Sequence, residues 1–170
     1  MKVLIIEPYF TGSHKQWAES YKRNSLHDIK ILSLKGQFWK WRMHGGAVTL
    51  AKMFNEMDWL PDLILATDML DLNTFLSLTR NKSNGIPTAI YFHENQLAYP
   101  TRQEDTYKRE IRDFQFGYIQ ILSSLVADHV CFNSDFNRQS FLDNIQGHFK
   151  NLPSNQKLIK GDIERKIYSK

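Results

Sequence analysis

The sequence predicts an α/β protein with a Rossmann-like open parallel sheet of about five strands and helices on both faces. Two observations lead to this fold class. Five short apolar runs recur along the chain, without the strict alternation of a sheet that faces water on one side. A turn signal and then a helical pattern follow each run. The predicted strands are residues 2–6, 29–34, 62–67, 88–92 and 129–133.

The segments between these runs carry apolar residues at helical spacing. The first helix is predicted over residues 15–23, where Trp17 and Tyr21 are four positions apart. Ser134 is a good N-cap for the helix that follows the fifth run. The other helices are predicted at residues 47–57, 72–79 and 104–126.

Length and composition fit one ordinary globular domain. The 170 residues are 42% apolar and 24% charged, which excludes a disordered or fibrous protein. The single cysteine, Cys131, excludes a disulfide framework and a cysteine-based zinc site, and it favours a reducing, cytoplasmic setting. No run approaches the roughly 20 apolar residues that span a bilayer, so no membrane partner is expected.

The net charge of +4 comes from the end of the chain. Residues 148–170 contain six Lys or Arg and two acidic residues, whereas residues 1–147 contain sixteen of each sign. From Leu152 onward the sequence mixes Pro, Ser, Asn, Gln and charges with little periodicity. We therefore predict a folded domain at 1–147 and a basic linker or tail at 148–170.

Ligands of open parallel sheets bind beyond the carboxyl ends of the strands, so the residues that follow each strand are candidates. Gly12, Ser13 and His14 follow the first strand at a predicted helix start, where free N–H groups favour an anion. A simple helix entry is the alternative interpretation. The G-x-G-x-x-G and Walker patterns are absent, which excludes the common dinucleotide and P-loop sites.

Polar residues also follow the third and fourth strands. Asp68 follows the third strand. His93 and Glu94 follow the fourth, and Asn95 and Gln96 come next. A histidine in this position can donate or accept a hydrogen bond, and the glutamate can act as a base. His93 and Glu94 are the candidate catalytic residues. Candidate substrate-binding residues are Asp68, Asn95 and Gln96. The alternative is a strand-end cap with local turn bonding.

The segment after the second strand interleaves aromatic and basic residues and contains no acid. Rings that stack on bases, with cations on phosphates, bind single-stranded nucleic acid. The alternative is that the rings wedge into the core beneath a mobile loop while the cations stay solvated. Gly45 and Gly46 are expected to turn the chain sharply into the next helix. The predicted RNA-binding residues are Lys35, Trp39, Lys40, Trp41 and Arg42.

Several familiar sites are missing from the sequence. There is no H-E-x-x-H, no G-x-S-x-G and no closely spaced D-x-D. The sequence therefore predicts neither a metal centre nor a resident cofactor.

Three segments carry a family resemblance: EPYFTGSHKQWAE at 7–19, ATDML at 66–70 and YFHENQLAYP at 91–100. Together they resemble the N-terminal domain of the tRNA-queuosine α-mannosyltransferases and their bacterial glycosyltransferase-like relatives, up to about Ile145. The resemblance implies the N-terminal half of a GT-B fold, in which two Rossmann-like domains enclose the active site. It also implies retaining, metal-independent transfer of mannose from GDP-mannose to the cyclopentene-diol of queuosine in the anticodon of tRNA-Asp.

The resemblance also assigns roles to individual residues. Gly12 and Ser13 would approach the donor diphosphate, His93 would reach the transferred sugar, and Ser134 would lie at the floor of the cleft. A second domain would bind most of GDP-mannose, so residues 1–170 alone are expected to be catalytically inactive. The alternatives are a non-catalytic Rossmann-like nucleotide- or RNA-binding module, and an interaction domain that docks a partner. The sequence does not indicate an oligomeric state.

Overall fold

The computed structural model describes residues 1–98, 106–148 and 157–168. Within these ranges five strands and six helices follow one another along the chain. The strands are β1 (Lys2–Phe10), β2 (Asp28–Lys35), β3 (Leu63–Thr67), β4 (Thr88–Phe92) and β5 (His129–Phe132). The helices are α1 (Gly12–Asn24), α2 (Trp39–Asn55), α3 (Leu72–Ser83), α4 (Thr106–Val126), α5 (Asp135–His148) and α6 (Lys157–Tyr168).

The strands form one parallel sheet in the order β2-β1-β3-β4-β5. Ile5 in β1 lies opposite Ile31 in β2 and Leu65 in β3, and Ile90 in β4 lies opposite Val130 in β5. Because all neighbouring strands are parallel, their C-terminal ends lie along one edge of the sheet, which we call the carboxyl edge. The predicted fold class is confirmed.

Successive side chains of each strand point to opposite faces of the sheet, and each face has its own core. The larger core lies between the sheet and α2 to α6, and includes Leu4, Ile6, Leu50, Phe54, Phe75, Ile90, Ile121, Phe141 and Ile163. The smaller core lies under α1, and includes Val3, Ile5, Ala18, Ile29, Leu65 and Ala89. Helices thus cover both faces, as predicted. None of the helices in the described ranges is long and apolar enough to cross a bilayer.

The end of the chain differs from the predicted linker over 148–170. Within this range, Lys157–Tyr168 form the helix α6. Ile163 of α6 is fully buried in the larger core, and Ile167 packs against that core. The sequence contains the signal, because Ile159, Ile163 and Ile167 recur every fourth residue. Gly161 and the polar stretch before the helix obscured this periodicity. The prediction of an irregular tail was wrong for this helix.

The start of α2 also differs from the prediction over 47–57. Gly45 and Gly46 lie inside the helix and do not form the expected turn. A Cβ atom added at Gly46 would lie 3.3 Å from Cβ of Pro8 and 3.6 Å from Cδ1 of Leu34. Gly46 therefore allows α2 to approach β1 and β2 closely, a tertiary requirement that local turn statistics do not contain.

Some predicted features lie outside the described residues. They are the start of the fourth helix at 104, Tyr99 and Pro100 of the third motif, and residues 149–156 and 169–170 of the tail.

The two neighbouring glycines of α2 give a matched test of this close approach. Gly45→Ala should raise the free energy of unfolding by about 0.5–1 kcal/mol, because alanine favours the helix and no atom lies within 4 Å of the new Cβ. Gly46→Ala should give no such gain, because the ring of Pro8 cannot move aside easily. Urea denaturation of both variants measures the difference. Equal stabilisation by the two substitutions would contradict the close contact between α2 and β1.

Candidate active site at the carboxyl edge

A buried hydrogen-bonded pair joins β1 to α1. Glu7 is 0% exposed. One of its carboxylate oxygens accepts the N–H of Tyr9 at 2.8 Å, and the other lies 3.0 Å from Nδ1 of His14. Gly12 makes this possible, because its φ of +52° turns the chain from β1 directly into α1. A fully buried carboxylate needs hydrogen-bond partners, and the first turn of α1 supplies one of them.

The N-terminus of α1 has features that favour a negatively charged group. The first N–H groups of a helix have no intrahelical acceptor. Thr11 at the N-cap makes no side-chain capping bond, and the first turn contains no acid. No atom lies within 4 Å of the position that a Cβ of Gly12 would occupy. Backbone N–H groups and the helix dipole therefore favour negative charge at this end.

Asp68 connects β3, β4 and α4. It is 0% exposed, and its Oδ1 accepts the backbone N–H of His93 at 3.0 Å. Its own N–H donates to the carbonyl of Tyr91 at 3.0 Å. From α4, Nε2 of Gln120 lies 3.3 Å from the carbonyl of Asp68 and 3.4 Å from Oδ2. Burial raises the pKa of Asp68 to about 8, although the charge of His14 and the bond from His93 act in the opposite direction.

His93 follows β4 and packs among aromatic rings. The centroid of its ring lies 4.2 Å from that of His14, 4.9 Å from that of Trp17 and 5.0 Å from that of Tyr91. Burial, and then the charge of His14, lower the pKa of His93 to about 4. Its Nε2 is buried and has no hydrogen-bond partner among the described residues. A neutral imidazole therefore offers an unsatisfied nitrogen at the carboxyl edge.

The two histidines in contact have opposite protonation preferences. Burial disfavours the cation of His14, but the hydrogen bond to Glu7 and the charges of Glu7, Asp68 and Glu94 outweigh it and raise the pKa of His14 above its ordinary value of 6.5. His14 is therefore suited to carry a positive charge while His93 stays neutral. Environments that separate the pKa values of neighbouring groups are typical of acid–base and charge-stabilising sites.

Asparagines connect His93 to β5 and α5. Nδ2 of Asn133 donates to the carbonyl of His93 at 2.8 Å. Oγ of Ser134 accepts the N–H of Asn137 at 3.2 Å, so the predicted N-cap is confirmed. Asn95 is buried and donates to Oδ1 of Asn137 at 2.7 Å. Both predicted substrate ligands, Ser134 and Asn95, thus have structural bonds, and their contact with substrate stays a prediction.

The remaining predicted residues after β4 are closer to solvent. Glu94 is exposed, and its Oε1 accepts a bond from Nε2 of Gln96 at 3.4 Å. The backbone N–H of Gln96 donates to Oε1 of Gln120 at 2.8 Å, which fixes the loop to α4. The catalytic role of Glu94 and the substrate-binding role of Gln96 stay predictions.

A cleft of about 490 Å³ runs along α1 from its N-terminal turn. The ring of Trp17 stacks on Tyr91, with centroids 4.4 Å apart, and on Tyr21, with centroids 5.8 Å apart. The rest of the lining is neutral and polar. The cleft is lined by Ser13, Gln16, Trp17, Ser20, Tyr21 and Asn24.

The predicted RNA-binding segment is the first turn of α2 and the residues just before it. Trp39 is half-buried, with its ring centroid 5.1 Å from that of Phe116 in α4. Nζ of Lys40 lies 5.3 Å from the Trp39 centroid. Trp41 is 76% exposed. Trp39 thus anchors the segment to the protein, and Trp41 faces solvent.

The carboxyl edge brings together Gly12, His14, Asp68, His93 and Ser134, as the parallel sheet predicted. Sequence reasoning missed four residues of the same site, and each left some signal. Glu7 is a charge in an apolar strand, Trp17 stands in the predicted first helix, Gln120 interrupts the inner face of α4, and Asn133 ends the fifth apolar run. The missed residues are Glu7, Trp17, Gln120 and Asn133.

Glu7, His14 and His93 are also the described residues that are best placed to hold a metal ion. Each brings one ligand atom, and these atoms lie within 4.8 Å of one another. Two of the three already bond to each other, since Nδ1 of His14 lies 3.0 Å from Oε2 of Glu7. The predicted absence of a metal stays a prediction.

Comparison with known proteins identifies the family. Residues 2–170 match the family described as tRNA-queuosine alpha-mannosyltransferase N-terminal. The chain belongs to this family. It is also 39% identical over 167 residues to the tRNA-queuosine alpha-mannosyltransferase of Drosophila melanogaster. That alignment covers 96% of the chain but 42% of the relative, so the chain spans less than half of the relative's length. No solved structure gave a significant match.

The proton distribution in this family member can be measured by NMR titration of its histidines. The pKa of His93 should lie well below 6.5, near 4, and that of His14 should lie above 6.5. Glu7→Gln should lower the pKa of His14, because burial remains while the hydrogen bond and charge that oppose it are lost.

The same shifts set the pH dependence of stability. The contribution of His14 is complete below about pH 6.5 and is lost as the pH rises through its folded-state pKa. The contribution of neutral His93 is complete above about pH 6.5 and is lost as the pH falls toward 4. Two histidines that titrate together near 6.5 would contradict the distribution of charge described above.

Proposed function

We propose that the chain is the N-terminal, acceptor-side part of a retaining α-mannosyltransferase of the GT-B type, which transfers mannose from GDP-mannose to queuosine in the anticodon of tRNA-Asp. The observation that supports this most strongly is the buried, unsatisfied Nε2 of His93, whose ring centroid lies 4.2 Å from that of His14. Family membership and the activity for which the Drosophila relative is named supply the reaction class.

The chemistry of retaining transfer suits the groups at the carboxyl edge. The reaction needs the leaving diphosphate stabilised and the acceptor hydroxyl held against the anomeric carbon, which is electrostatic and positioning work. The N-terminus of α1, with Gly12 and Ser13, lies open for the diphosphate. The cation of His14 adds positive charge at the same end. Nε2 of His93 bonds a hydroxyl of the transferred sugar.

The cleft along α1 suits the acceptor. Its walls combine the rings of Trp17 and Tyr21 with neutral hydroxyl and amide groups. Such a lining binds a diol through hydrogen bonds while a ring packs against its apolar side. The basic and aromatic start of α2 then holds the RNA around the modified nucleoside. The lone Cys131 agrees with a cytoplasmic setting for such an enzyme.

A non-catalytic nucleotide- or RNA-binding module is the second candidate. The exposed aromatic and basic start of α2 favours it, since these residues bind RNA without any chemistry. In that case His93 would be dispensable and Trp41 would not. The two candidates therefore differ in the effect of one histidine on turnover.

His93→Ala in the full-length enzyme should lower kcat at least about tenfold, because the transition state loses a bond that no described neighbour replaces. Mannose transfer to queuosine-containing tRNA measures this. His93 does not line the cleft along α1, so KM for tRNA should change much less than kcat.

His27→Ala is the matched control, because His27 is exposed and precedes β2 at the opposite edge of the sheet. It should leave kcat unchanged. Wild-type turnover in His93→Ala would remove this histidine from the catalytic machinery and favour the binding module.

Metal independence gives a separate test of the proposal. Full-length enzyme dialysed against a chelator should keep its full rate, because the cation of His14 and the backbone N–H groups supply the positive charge. Transfer rates before and after dialysis measure this. A rate that falls and returns with added Zn²⁺ would assign Glu7, His14 and His93 to a metal site instead.

A further inference from the structure

Phe38, just before α2, has an unusual backbone and an unusual exposure. Its φ of 54° and ψ of 56° lie in the left-handed region. In the described part of the chain no other non-glycine residue has a positive φ. A bulky side chain there costs free energy, so such a conformation persists where the surroundings impose it. The ring is nevertheless 76% exposed, so it contributes little to the core.

Local contacts hold the backbone around Phe38 firmly. Its carbonyl accepts the N–H of Trp41 at 2.9 Å and that of Arg42 at 3.2 Å. Nε of Arg42 donates to the carbonyl of Lys35 at 3.1 Å, and the N–H of Gln37 donates to the same carbonyl at 2.8 Å. The segment from Lys35 to Arg42 is thus a closed, preorganised turn. The turn presents Phe38 and Trp41 to solvent.

The same turn lies against the candidate anion site. A Cβ atom at Gly36 would come within 2.3 Å of the side chain of Thr11, so the backbone of Gly36 touches the residue that caps α1. The turn that carries Phe38 is therefore next to the N-terminus of α1. On its other side, Trp39 fixes the turn to Phe116 of α4.

The charge around the two exposed rings has one sign. Residues 29–55 contain no Asp or Glu, and Lys35, Lys40 and Arg42 flank the rings. Exposed rings among cations suit a polyanion with flat faces, in which bases stack and phosphates pair with the cations. A protein partner would have to be both strongly acidic and apolar at the same place.

We propose that Phe38 and Trp41 form a stacking platform for unpaired bases of RNA, and that the left-handed backbone at Phe38 exists to present its ring. This inference rests on the proposed function and deepens it. It adds Phe38, an aromatic residue of the same segment, to the predicted RNA-binding residues, and it removes Trp39 from direct contact with RNA. The platform binds unpaired bases without preference for their sequence, because every base has a face that can stack.

Binding of the full-length enzyme to a single-stranded RNA of about 12 nucleotides tests the platform over a salt series. Phe38→Asn removes the ring but keeps a residue that tolerates the left-handed region, so the turn is retained. Phe38→Asn and Trp41→Ala should each weaken binding at least about fivefold, with an unchanged slope of log affinity against log salt. Phe38→Trp, which keeps an aromatic ring at this position, should bind RNA as well as the wild type does.

Two control variants make the result specific. Lys35→Ala should reduce the salt slope by about 0.7, because it removes one phosphate contact. Leu26→Ala removes a fully exposed apolar side chain near the opposite edge of the sheet and should change nothing.

Each outcome has a distinct meaning. Equal binding by wild type, Phe38→Asn and Trp41→Ala would overturn the platform, and the rings would then serve a partner other than RNA. Wild-type enzyme that binds RNA through the platform but transfers no mannose would overturn the proposed function and leave this inference standing. A Phe38→Asn variant with an altered salt slope would also overturn the stacking platform, because the ring would then act only by positioning cations.

Discussion

The bond from the backbone N–H of His93 to the buried carboxyl of Asp68 is the interaction on which the site depends. Asp68 directly follows β3 and His93 directly follows β4, so this 3.0 Å bond fixes the two strand ends together. Gln120 holds the same aspartate from α4, and Asn133 holds the carbonyl of His93 from β5. These bonds fix the backbone at His93, and the rings of His14, Trp17 and Tyr91 pack around its side chain.

Burial determines the protonation of the site. Asp68 and Glu7 are both fully buried acids, but they have different partners. Glu7 faces His14 and stabilises its cation, whereas Asp68 faces a backbone N–H and has its pKa raised by burial. Burial, and then the charge of His14, lower the pKa of His93 and keep it neutral. A small group of side chains thereby combines a residue suited to carry positive charge with a neutral imidazole, the two groups to which the proposed function assigns the leaving phosphate and a sugar hydroxyl.

Glycines with different roles connect this site to the surface that we assign to RNA. Gly12 turns β1 into α1 and leaves the helix N-terminus open. Gly36 lets the aromatic turn touch the cap of that same helix, and Gly46 lets α2 lie close to β1. The position of the aromatic turn beside the start of α1 therefore follows from a close backbone approach. A side chain at Gly36 would clash with Thr11 and push the aromatic turn away from the start of α1.

The sequence by itself determined the parallel sheet, the edge at which chemistry gathers, and His14, Asp68 and His93 as members of one site. Apolar runs and helical spacing are local patterns, and parallel strands must end at one edge. Only the tertiary structure decided that Glu7 pairs with His14, that Gln120 reaches Asp68, that Trp39 turns inward while Phe38 turns outward, and that α6 packs into the core. These outcomes depend on contacts between residues far apart in the chain or on which side of a helix meets a neighbour, and neither is written in the spacing of a short segment.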